Sequence, residues 1–434
     1  MLSDLSKIKD LIRNNFKIVQ NTGYLTIIEC VRLILPFVAL PYIIRIVGLE
    51  RYGMVAFAQA VIAYFGIFIN FGLDVSSVKD VALLKDKKKE LNNLVTSVLA
   101  IKSVLFLLSF GVLLLCIFII PVMYNYKTLL LFAFLSCLSE LLFPIWYYQG
   151  IEKMKLITLV SSSSILLYTI LVFVFIHNRE DYVYVPLLQS LSNIVAGSVA
   201  FISLIKCEGV KLCIPRLQFI IQVLKNAVPF FLSRVSVVYN SNLAKTISGL
   251  FLSMESVAAF DIAQKISNFA LVPVRMLNQA TYPYISRIRS KLFITKYLYL
   301  SAMIGLTLSI VLFLTSPILI RFFTNESVVE STEILRILCL FTFSDTITMC
   351  LGTCTLVAFG FSKPFNDSVI YSTIFLSLLY YLIYYFELFN TSSFAFAIFL
   401  SSFFVLVYRM CFCIKYDIFQ FRYMSIMDSK DRNH

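Results

Sequence analysis

The feature that most constrains this chain is a succession of long, continuous apolar segments that fills nearly all of its 434 residues. A helix needs about 20 predominantly apolar residues to cross the hydrocarbon core of a bilayer, so the chain has room for about twelve spans with short connectors. The segments are much longer than the ~10-residue alternating strands of membrane barrels. Because backbone polar groups in lipid must be bonded internally, the pattern predicts an all-α integral membrane protein with about 12 transmembrane helices.

The predicted spans form two sets of six. They cover residues 18–44, 52–74, 94–120, 128–150, 156–177 and 183–205, and then 226–250, 255–283, 297–320, 333–360, 367–389 and 393–414. The composition agrees, since 59% of the residues are hydrophobic and only 14% are charged. These values exclude a sizeable water-soluble domain.

Connectors rich in lysine and arginine alternate along the chain with connectors that contain few of them. The connectors on one side hold most of them, whereas the opposite connectors hold only Arg45, Arg51, Lys127, Arg179 and Arg321. By the positive-inside rule, this bias predicts that both termini are cytoplasmic and that the number of spans is even. The bias also explains the net charge of +13, so we predict a lipid bilayer as partner and no nucleic acid.

The longest polar connector divides the chain into two halves. We predict an N-terminal six-helix bundle over 1–205, a cytoplasmic linker over 206–225, a C-terminal six-helix bundle over 226–414 and a cytoplasmic tail over 415–434. The shift that aligns Asn21 with Asn226 also aligns Gln59 with Gln264. These matches are few, and coincidence is the alternative to a true repeat. Transporters use repeated halves to build a central site near the bilayer midplane.

Polar residues inside the spans are the strongest indication of function, because a charge costs about 2.5–3.5 kcal/mol at the centre of a membrane helix. In the second, seventh and eighth spans the polar residues recur at three- and four-residue steps, which places them on one helical face. They are Gln59, Asn70 and Asp74; Arg234, Ser241, Lys245 and Ser248; and Asp261, Gln264, Lys265, Asn268, Arg275 and Gln279. With Arg32 of the first span, they predict a water-filled central cavity.

Cations exceed anions in these four spans. We predict a substrate-binding set of Arg32, Arg234, Lys245, Lys265 and Arg275, which outnumber Glu29, Asp74 and Asp261. Such a surplus suits an anionic substrate, and guanidinium groups suit phosphate in particular.

Asp74 and Asp261 are candidates for ion coupling, with H+ or Na+ as the coupling ion. A purely structural role is the alternative for several of these charges, since Asp261 and Lys265 form an i, i+4 pair that would neutralise itself. Lys245 and Arg275 lie near enough to span ends to extend to the interface. The remaining charges inside the spans are interpreted as mainly structural or interfacial: Lys102, Glu140, Arg336, Asp345, Asp367, Glu387 and Arg409.

Metal and catalytic motifs are missing from the sequence. Its two histidines, His177 and His434, cannot form a catalytic triad with the residues around them. The closest cysteine pairs, Cys350 with Cys354 and Cys411 with Cys413, have no histidine or acid at zinc spacing. We therefore predict no cofactor and no metal, and a membrane transporter rather than an enzyme.

Two segments carry a family resemblance. Residues 40–89, LPYIIRIVGLERYGMVAFAQAVIAYFGIFINFGLDVSSVKDVALLKDKKK, and residues 143–155, FPIWYYQGIEKMK, resemble Wzx-type O-antigen and polysaccharide flippases. These belong to the multidrug/oligosaccharidyl-lipid/polysaccharide (MOP) exporter superfamily. The resemblance implies two six-helix bundles around a cavity in the bacterial inner membrane.

The resemblance also implies an activity, namely alternating-access transfer of an undecaprenyl-pyrophosphate-linked oligosaccharide from the cytoplasmic to the periplasmic leaflet, coupled to an ion gradient. It further implies that Arg32, Arg234, Lys265 and Arg275 contact the pyrophosphate. A polymerase and a chain-length regulator of the same pathway would be its protein partners.

Two other functions fit the hydropathy. A multidrug or cation antiporter of the same superfamily should have an acidic and apolar cavity, which the cationic surplus argues against. An O-antigen polymerase should have long outer loops with catalytic groups, whereas the longest outer connector here runs only from about 321 to 332.

Overall fold

A computed structural model describes residues 35–215, 217–325 and 328–420. Throughout these ranges the regular secondary structure is helical, without a β-strand. Ten helical segments in the described residues are long and apolar enough to cross a membrane, where adjoining helices such as those of Leu49–Leu84 and of Lys127–Gly150 count as one segment. The chain is therefore a multi-pass membrane protein of the predicted all-α class.

The predicted number of twelve spans is not confirmed. Most of the predicted span 18–44 lies outside the described residues, which show the helix Leu35–Val47. The predicted span 255–283 is divided into two helices of 17 residues each, Met254–Ala270 and Val272–Ile288. The helix is interrupted at Leu271, two residues before Pro273, because proline has no backbone N–H to continue the helical hydrogen bonds and is accommodated in the first turn of a new helix.

The helices are numbered in chain order. The first ten are α1 (Leu35–Val47), α2 (Leu49–Asn70), α3 (Leu73–Leu84), α4 (Lys88–Ile119), α5 (Pro121–Asn125), α6 (Lys127–Phe134), α7 (Ser139–Leu142), α8 (Ile145–Gly150), α9 (Met154–Phe175) and α10 (Tyr184–Lys206). The others are α11 (Leu217–Phe251), α12 (Met254–Ala270), α13 (Val272–Ile288), α14 (Lys291–Thr324), α15 (Val329–Met349), α16 (Ser362–Tyr385) and α17 (Thr391–Lys415). Short 3-10 segments cover Leu135–Leu138 and Arg179–Val183, and a π-helical segment, Cys350–Val357, continues α15.

These helices form two compact units. The N-unit is the described part of Met1–Val47 together with Ile62–Phe231, and the C-unit is Gly48–Val61 together with the described part of Leu232–His434. The division falls inside α2 and α11, so each of these helices contributes to both units. The predicted borders of the two bundles, the linker and the tail stay predictions.

A sharp break separates α2 from α3 in the N-unit. Phe71 and Gly72 both have positive φ angles, of 44° and 71°. A Cβ atom on Gly72 would lie 2.5 Å from the backbone nitrogen of Phe231. Only glycine combines this backbone conformation with so close a neighbour. The core beside this break contains the fully buried Trp146 and Tyr148, and the Tyr148 hydroxyl donates to the carbonyl oxygen of Ala200 at 2.6 Å.

Close helix contacts in the C-unit depend on small residues of α2 and α11. A Cβ atom on Gly53 would lie 1.7 Å from the carbonyl oxygen of Met254, and one on Gly249 would lie 2.1 Å from the ring of Phe57. The start of α2 therefore packs directly against α11 and α12, which is what positions the candidate site.

Many large apolar side chains face outward. On α4 they include Leu107, Leu115 and Phe118, each more than half exposed. Ile318 of α14 is similarly exposed. Surfaces of this extent are aggregation-prone in water, and they suit contact with lipid tails.

Candidate functional site

Four side chains of the C-unit meet around one buried carboxylate. Asp261 of α12 lies 2.7 Å from the Lys265 ammonium and 3.2 Å from the Lys245 ammonium. The Tyr52 hydroxyl of α2 donates to the same carboxylate. Lys265 also donates to the Tyr52 oxygen at 2.8 Å. Tyr52, Lys245, Asp261 and Lys265 are called the Asp261 cluster below.

The sequence explains how this cluster assembles. Asp261 and Lys265 are one helical turn apart on α12, which is the i, i+4 spacing that brings such pairs together. Tyr52 reaches them because its neighbour Gly53 lets α2 approach the first turn of α12 without a side chain between the backbones.

The Asp261 cluster carries an excess of positive charge, since two ammonium groups surround one carboxylate. The Asp261 side chain is 4% exposed, whereas that of Lys265 is 40% exposed. The acid therefore serves as a buried counter-ion, and the surplus charge faces outward at Lys265. The pairing that the sequence left open as an alternative is thus present, but it leaves one cation in excess.

The other predicted cations lie in different surroundings. Arg32 lies outside the described residues. Arg234 is exposed on α11. Arg275 is exposed on α13, and its guanidinium donates to Asn268 Oδ1 at 3.2 Å. The structure thus brings Lys245 and Lys265 together, and the substrate-binding role of the whole predicted set stays a prediction.

Two cavities of the C-unit contain polar groups from several helices. One of about 650 Å3 is lined by Arg275, Asn278, Gln279, Tyr282 and Arg409 among others. One of about 260 Å3 is lined by Asn240, Gln264, Asn268, Asp345 and Arg409 among others. Gln264, Asn268, Arg275 and Gln279 belong to the polar stripe predicted from the sequence. These four residues of the predicted polar stripe therefore line cavities that are large enough to hold water.

Arg409 of α17 connects the two cavities, although the sequence pattern indicated only a structural or interfacial charge. Its side chain is almost fully buried, with Nε donating to Ser368 Oγ at 2.9 Å and Nη1 donating to the Thr348 carbonyl at 2.8 Å. The Phe365 ring lies 4.6 Å from the guanidinium carbon. An arginine within an apolar span was the available sequence signal for a polar site. Its partners come from other helices and could not be predicted from the sequence.

The N-unit holds a second cluster. Lys102 of α4 donates to Asn70 Oδ1 at 2.6 Å, to Asp74 Oδ1 at 2.7 Å and to the Glu140 carbonyl at 3.1 Å. Asn70 in turn donates to Glu140 Oε2 at 2.8 Å. We call Asn70, Asp74, Lys102 and Glu140 the Lys102 cluster. The sequence predicted a role for Asp74, but Lys102 and Glu140 read there as scattered charges.

No group of three or more histidine, cysteine, aspartate or glutamate side chains suited to a metal ion occurs in the described part of the chain. The nine cysteines that lie in it carry free thiols.

Comparisons of sequence place this chain in a known family. The model of a family described as "Polysaccharide biosynthesis protein" matches residues 18–289. A protein of Escherichia coli (strain K12) named "Putative O-antigen transporter" is 26% identical over 364 residues, covering 82% of this chain and 88% of that protein. A protein of the same name from Shigella dysenteriae is 25% identical over 376 residues, covering 85% of this chain and 93% of its own.

Comparisons of structure agree. A multidrug resistance MATE family transporter of the MOP superfamily, in an inward-facing conformation, superposes with a TM-score of 0.71 at 16% identity, covering 89% of this chain and 94% of its own. The lipid II flippase MurJ, in an inward closed conformation, superposes with a TM-score of 0.69 at 16% identity, covering 90% and 87%. These likenesses establish a fold shared with a MATE transporter of the MOP superfamily and with a lipid II flippase. Because the family model matches more than half of the residues, the chain belongs to the polysaccharide biosynthesis protein family.

Proposed function

We propose that this protein is a flippase that moves an undecaprenyl-pyrophosphate-linked oligosaccharide, an O-antigen or related repeat unit, from the cytoplasmic to the periplasmic leaflet of the bacterial inner membrane by alternating access. The relatives are named as transporters, and the solved structures of this fold are transporters and a flippase. The chain is accordingly a membrane transporter and not an enzyme, which removes the polymerase alternative.

The observation that carries the proposal is the surplus positive charge of the Asp261 cluster. Lys265 is held by Asp261 and Tyr52 but keeps 40% of its side chain exposed. A pyrophosphate arriving there exchanges water for a charge-assisted hydrogen bond from an ammonium group that is already in position. Positioning by Asp261 lowers the entropy lost on binding.

Arg275 supplies the second part of the headgroup site in this proposal. Its exposed guanidinium lines the larger cavity, where Gln279 and Tyr282 add amide and hydroxyl groups that suit sugars. Two parallel N–H donors match two phosphate oxygens. The polyprenyl chain would stay in the bilayer, against the apolar outer surface, while the charged head crosses.

The orientation and the partners belong to the same proposal. Both termini are cytoplasmic, as the distribution of lysine and arginine predicts. An ion gradient of H+ or Na+ drives the cycle, and the polymerase and chain-length regulator of the pathway receive the product. A reporter fused to the C-terminus that is active only in the cytoplasm tests the orientation.

A multidrug or cation antiporter is the second candidate. The likeness to MATE transporters and the presence of Asp345 in a polar cavity favour it. It should bind cations, whereas the Asp261 cluster has a cationic surplus. Deletion of the gene distinguishes the two functions, because loss of an antiporter changes drug sensitivity and leaves surface polysaccharide intact.

The decisive experiment is to identify what accumulates in the deletion strain. The flippase proposal predicts that lipid-linked single repeat units accumulate facing the cytoplasm and that surface polysaccharide disappears. Wild-type protein and Lys265→Arg should restore it, whereas Lys265→Glu should not. Normal surface polysaccharide in the deletion strain would overturn the proposal.

A further inference from the structure

The Lys102 cluster is built around a lysine whose hydrogen-bonding capacity is fully used. An ammonium group has three N–H donors, and those of Lys102 go to Asn70, Asp74 and the carbonyl of Glu140. The Lys102 side chain is 1% exposed. This cation is therefore a fixed part of the N-unit, with no donor left for a substrate.

The cluster has two carboxyl groups for this one cation. Asp74 forms the ion pair, at 2.7 Å. The Glu140 carboxyl accepts from the neutral amide of Asn70 at 2.8 Å, and none of the described cations lies within ion-pair distance of it. Because an uncompensated charge at membrane depth is costly, the cluster is most stable when the two carboxyl groups share one proton.

Few titratable groups of the described chain lie near the Glu140 carboxyl. Asp74, Lys102 and the Cys137 thiol are the titratable groups that interact with it. The other titratable groups of α4 and α10, which pack against α7, lie toward the ends of those two helices: Lys88, Lys89, Glu90, Cys116, Tyr184 and Lys206.

The geometry favours a proton over Na+. A sodium ion would need the oxygens of Asn70, Asp74 and Glu140 as ligands. The Lys102 ammonium already lies 2.6–3.1 Å from one oxygen of each of these residues. A proton needs no coordination shell, and the side chains of Asp74 and Glu140 are only partly buried.

The Lys102 cluster also bridges the break between α2 and α3. Asn70 and Asp74 lie on either side of the break at Phe71 and Gly72, where both φ angles are positive. Lys102 holds both sides of the break to α4. Release of the shared proton places a second negative charge beside Lys102 and changes how the two sides of the break are held.

From these observations we propose that the Lys102 cluster binds and releases one proton per transport cycle and is the coupling site of this transporter. The inference rests on the proposed flippase function. The proton comes from water on one side of the membrane, forms an O–H bond with a carboxylate oxygen of Glu140 or Asp74, and returns to water on the other side. Lys102 stays charged throughout and is a positioning residue.

Infrared spectroscopy of the purified full-length protein in lipid tests the proton site directly. The wild type should show a protonated-carboxyl C=O band that titrates with pH and does not respond to sodium. Glu140→Gln or Asp74→Asn should remove or shift this band. Glu333→Gln, which changes an exposed carboxyl of α15, should leave it in place. A band that is unchanged in both cluster variants overturns the proposal.

Transport in proteoliposomes tests the coupling. With one proton per cycle, a gradient of one pH unit supports up to about tenfold accumulation. Glu140→Gln should lose this accumulation and keep exchange without a gradient. Wild-type transport that responds to sodium and not to pH overturns the proton site and leaves the flippase function standing. If Glu140→Gln removes the titrating infrared band but the wild type moves no substrate, the proton site stands and the flippase function is overturned.

A neutral variant of the Lys102 cluster separates loss of proton binding from loss of folding. Lys102→Met alone leaves two carboxyl groups without a cation and should reduce folded yield. The triple variant Asp74→Asn, Lys102→Met, Glu140→Gln is neutral and should fold. It should exchange substrate without any response to pH, and a wild-type response to pH in this variant contradicts the assignment.

Discussion

The hydroxyl of Tyr52 donates a hydrogen bond to the carboxylate of Asp261, which lies 209 residues further along the chain. Together with Lys245 and Lys265 it gives this buried acid three donor groups. An acid so fully occupied acts mainly to hold two lysines in place. Of the two acids considered for ion coupling, Asp74 is therefore the better candidate, because its cluster contains a second carboxyl that forms no ion pair with any cation in the described ranges.

Replacing Asp261 should destabilise the protein. Asp261→Asn removes the carboxylate that pairs with Lys245 and Lys265 in the described structure, and breaking a buried ion pair costs about 3–5 kcal/mol. The expected result is a lower unfolding midpoint for the purified protein in detergent. Glu333→Gln, in the exposed part of α15, is the matched control. An unchanged midpoint in Asp261→Asn would show that the cluster does not stabilise the fold.

Replacing Lys265 should impair transport more than stability. Asp261 keeps Lys245 and Tyr52 as partners in Lys265→Gln, so the fold should persist. Hydrogen bonds to charged groups contribute about 1.5–3 kcal/mol, which corresponds to roughly a tenfold to hundredfold loss of transport. The rate at which surface polysaccharide reappears in a complemented deletion strain measures this. Full complementation by a well-expressed Lys265→Gln contradicts the role of Lys265.

Arg275 should require its shape as well as its charge. Arg275→Lys keeps a cation at the larger cavity but loses the two parallel donors, so transport should fall to an intermediate rate. Arg275→Glu should abolish surface polysaccharide while the protein still inserts into the membrane. Membrane insertion is checked by immunoblotting of the membrane fraction. Equal rates for wild type and Arg275→Glu are the contrary outcome.

Gly53 should tolerate no side chain. A Cβ atom there would lie 1.7 Å from the carbonyl oxygen of Met254, so Gly53→Ala must push α2 away from α12. The expected result is a low yield of folded protein in fluorescence-detected size-exclusion chromatography. Gly66→Ala, on the same helix with no atom within 4 Å of its Cβ, is the control and should behave as wild type.

The sequence was sufficient for the helical class and for most of the apolar segments, because hydropathy over about 20 residues is a local property. It failed at the predicted span 255–283, where one polar stripe runs across the break at Leu271. Pro273 was the available signal for that break, since a proline has no backbone N–H and is accommodated only in the first turn of a helix.

The candidate site could be predicted only where its contacts are local. The pair of Asp261 and Lys265 follows from i, i+4 spacing. The contacts of Lys102 with Asp74 and with the carbonyl of Glu140 join residues 28 and 38 positions apart on three helices. Such contacts are set by tertiary packing, so hydropathy and periodicity carried no information about them.

Reconstitution gives the most direct test of the central claim. Purified protein is placed in proteoliposomes that contain lipid-linked oligosaccharide labelled on its sugar, and the label reachable by an external glycosidase is followed with time. A flippase should give protein-dependent movement of the headgroup between leaflets with the wild type, and none with a folded variant that combines Lys265→Glu with Arg275→Glu. Equal movement by the two proteins, or none by folded wild type, would contradict the flippase proposal.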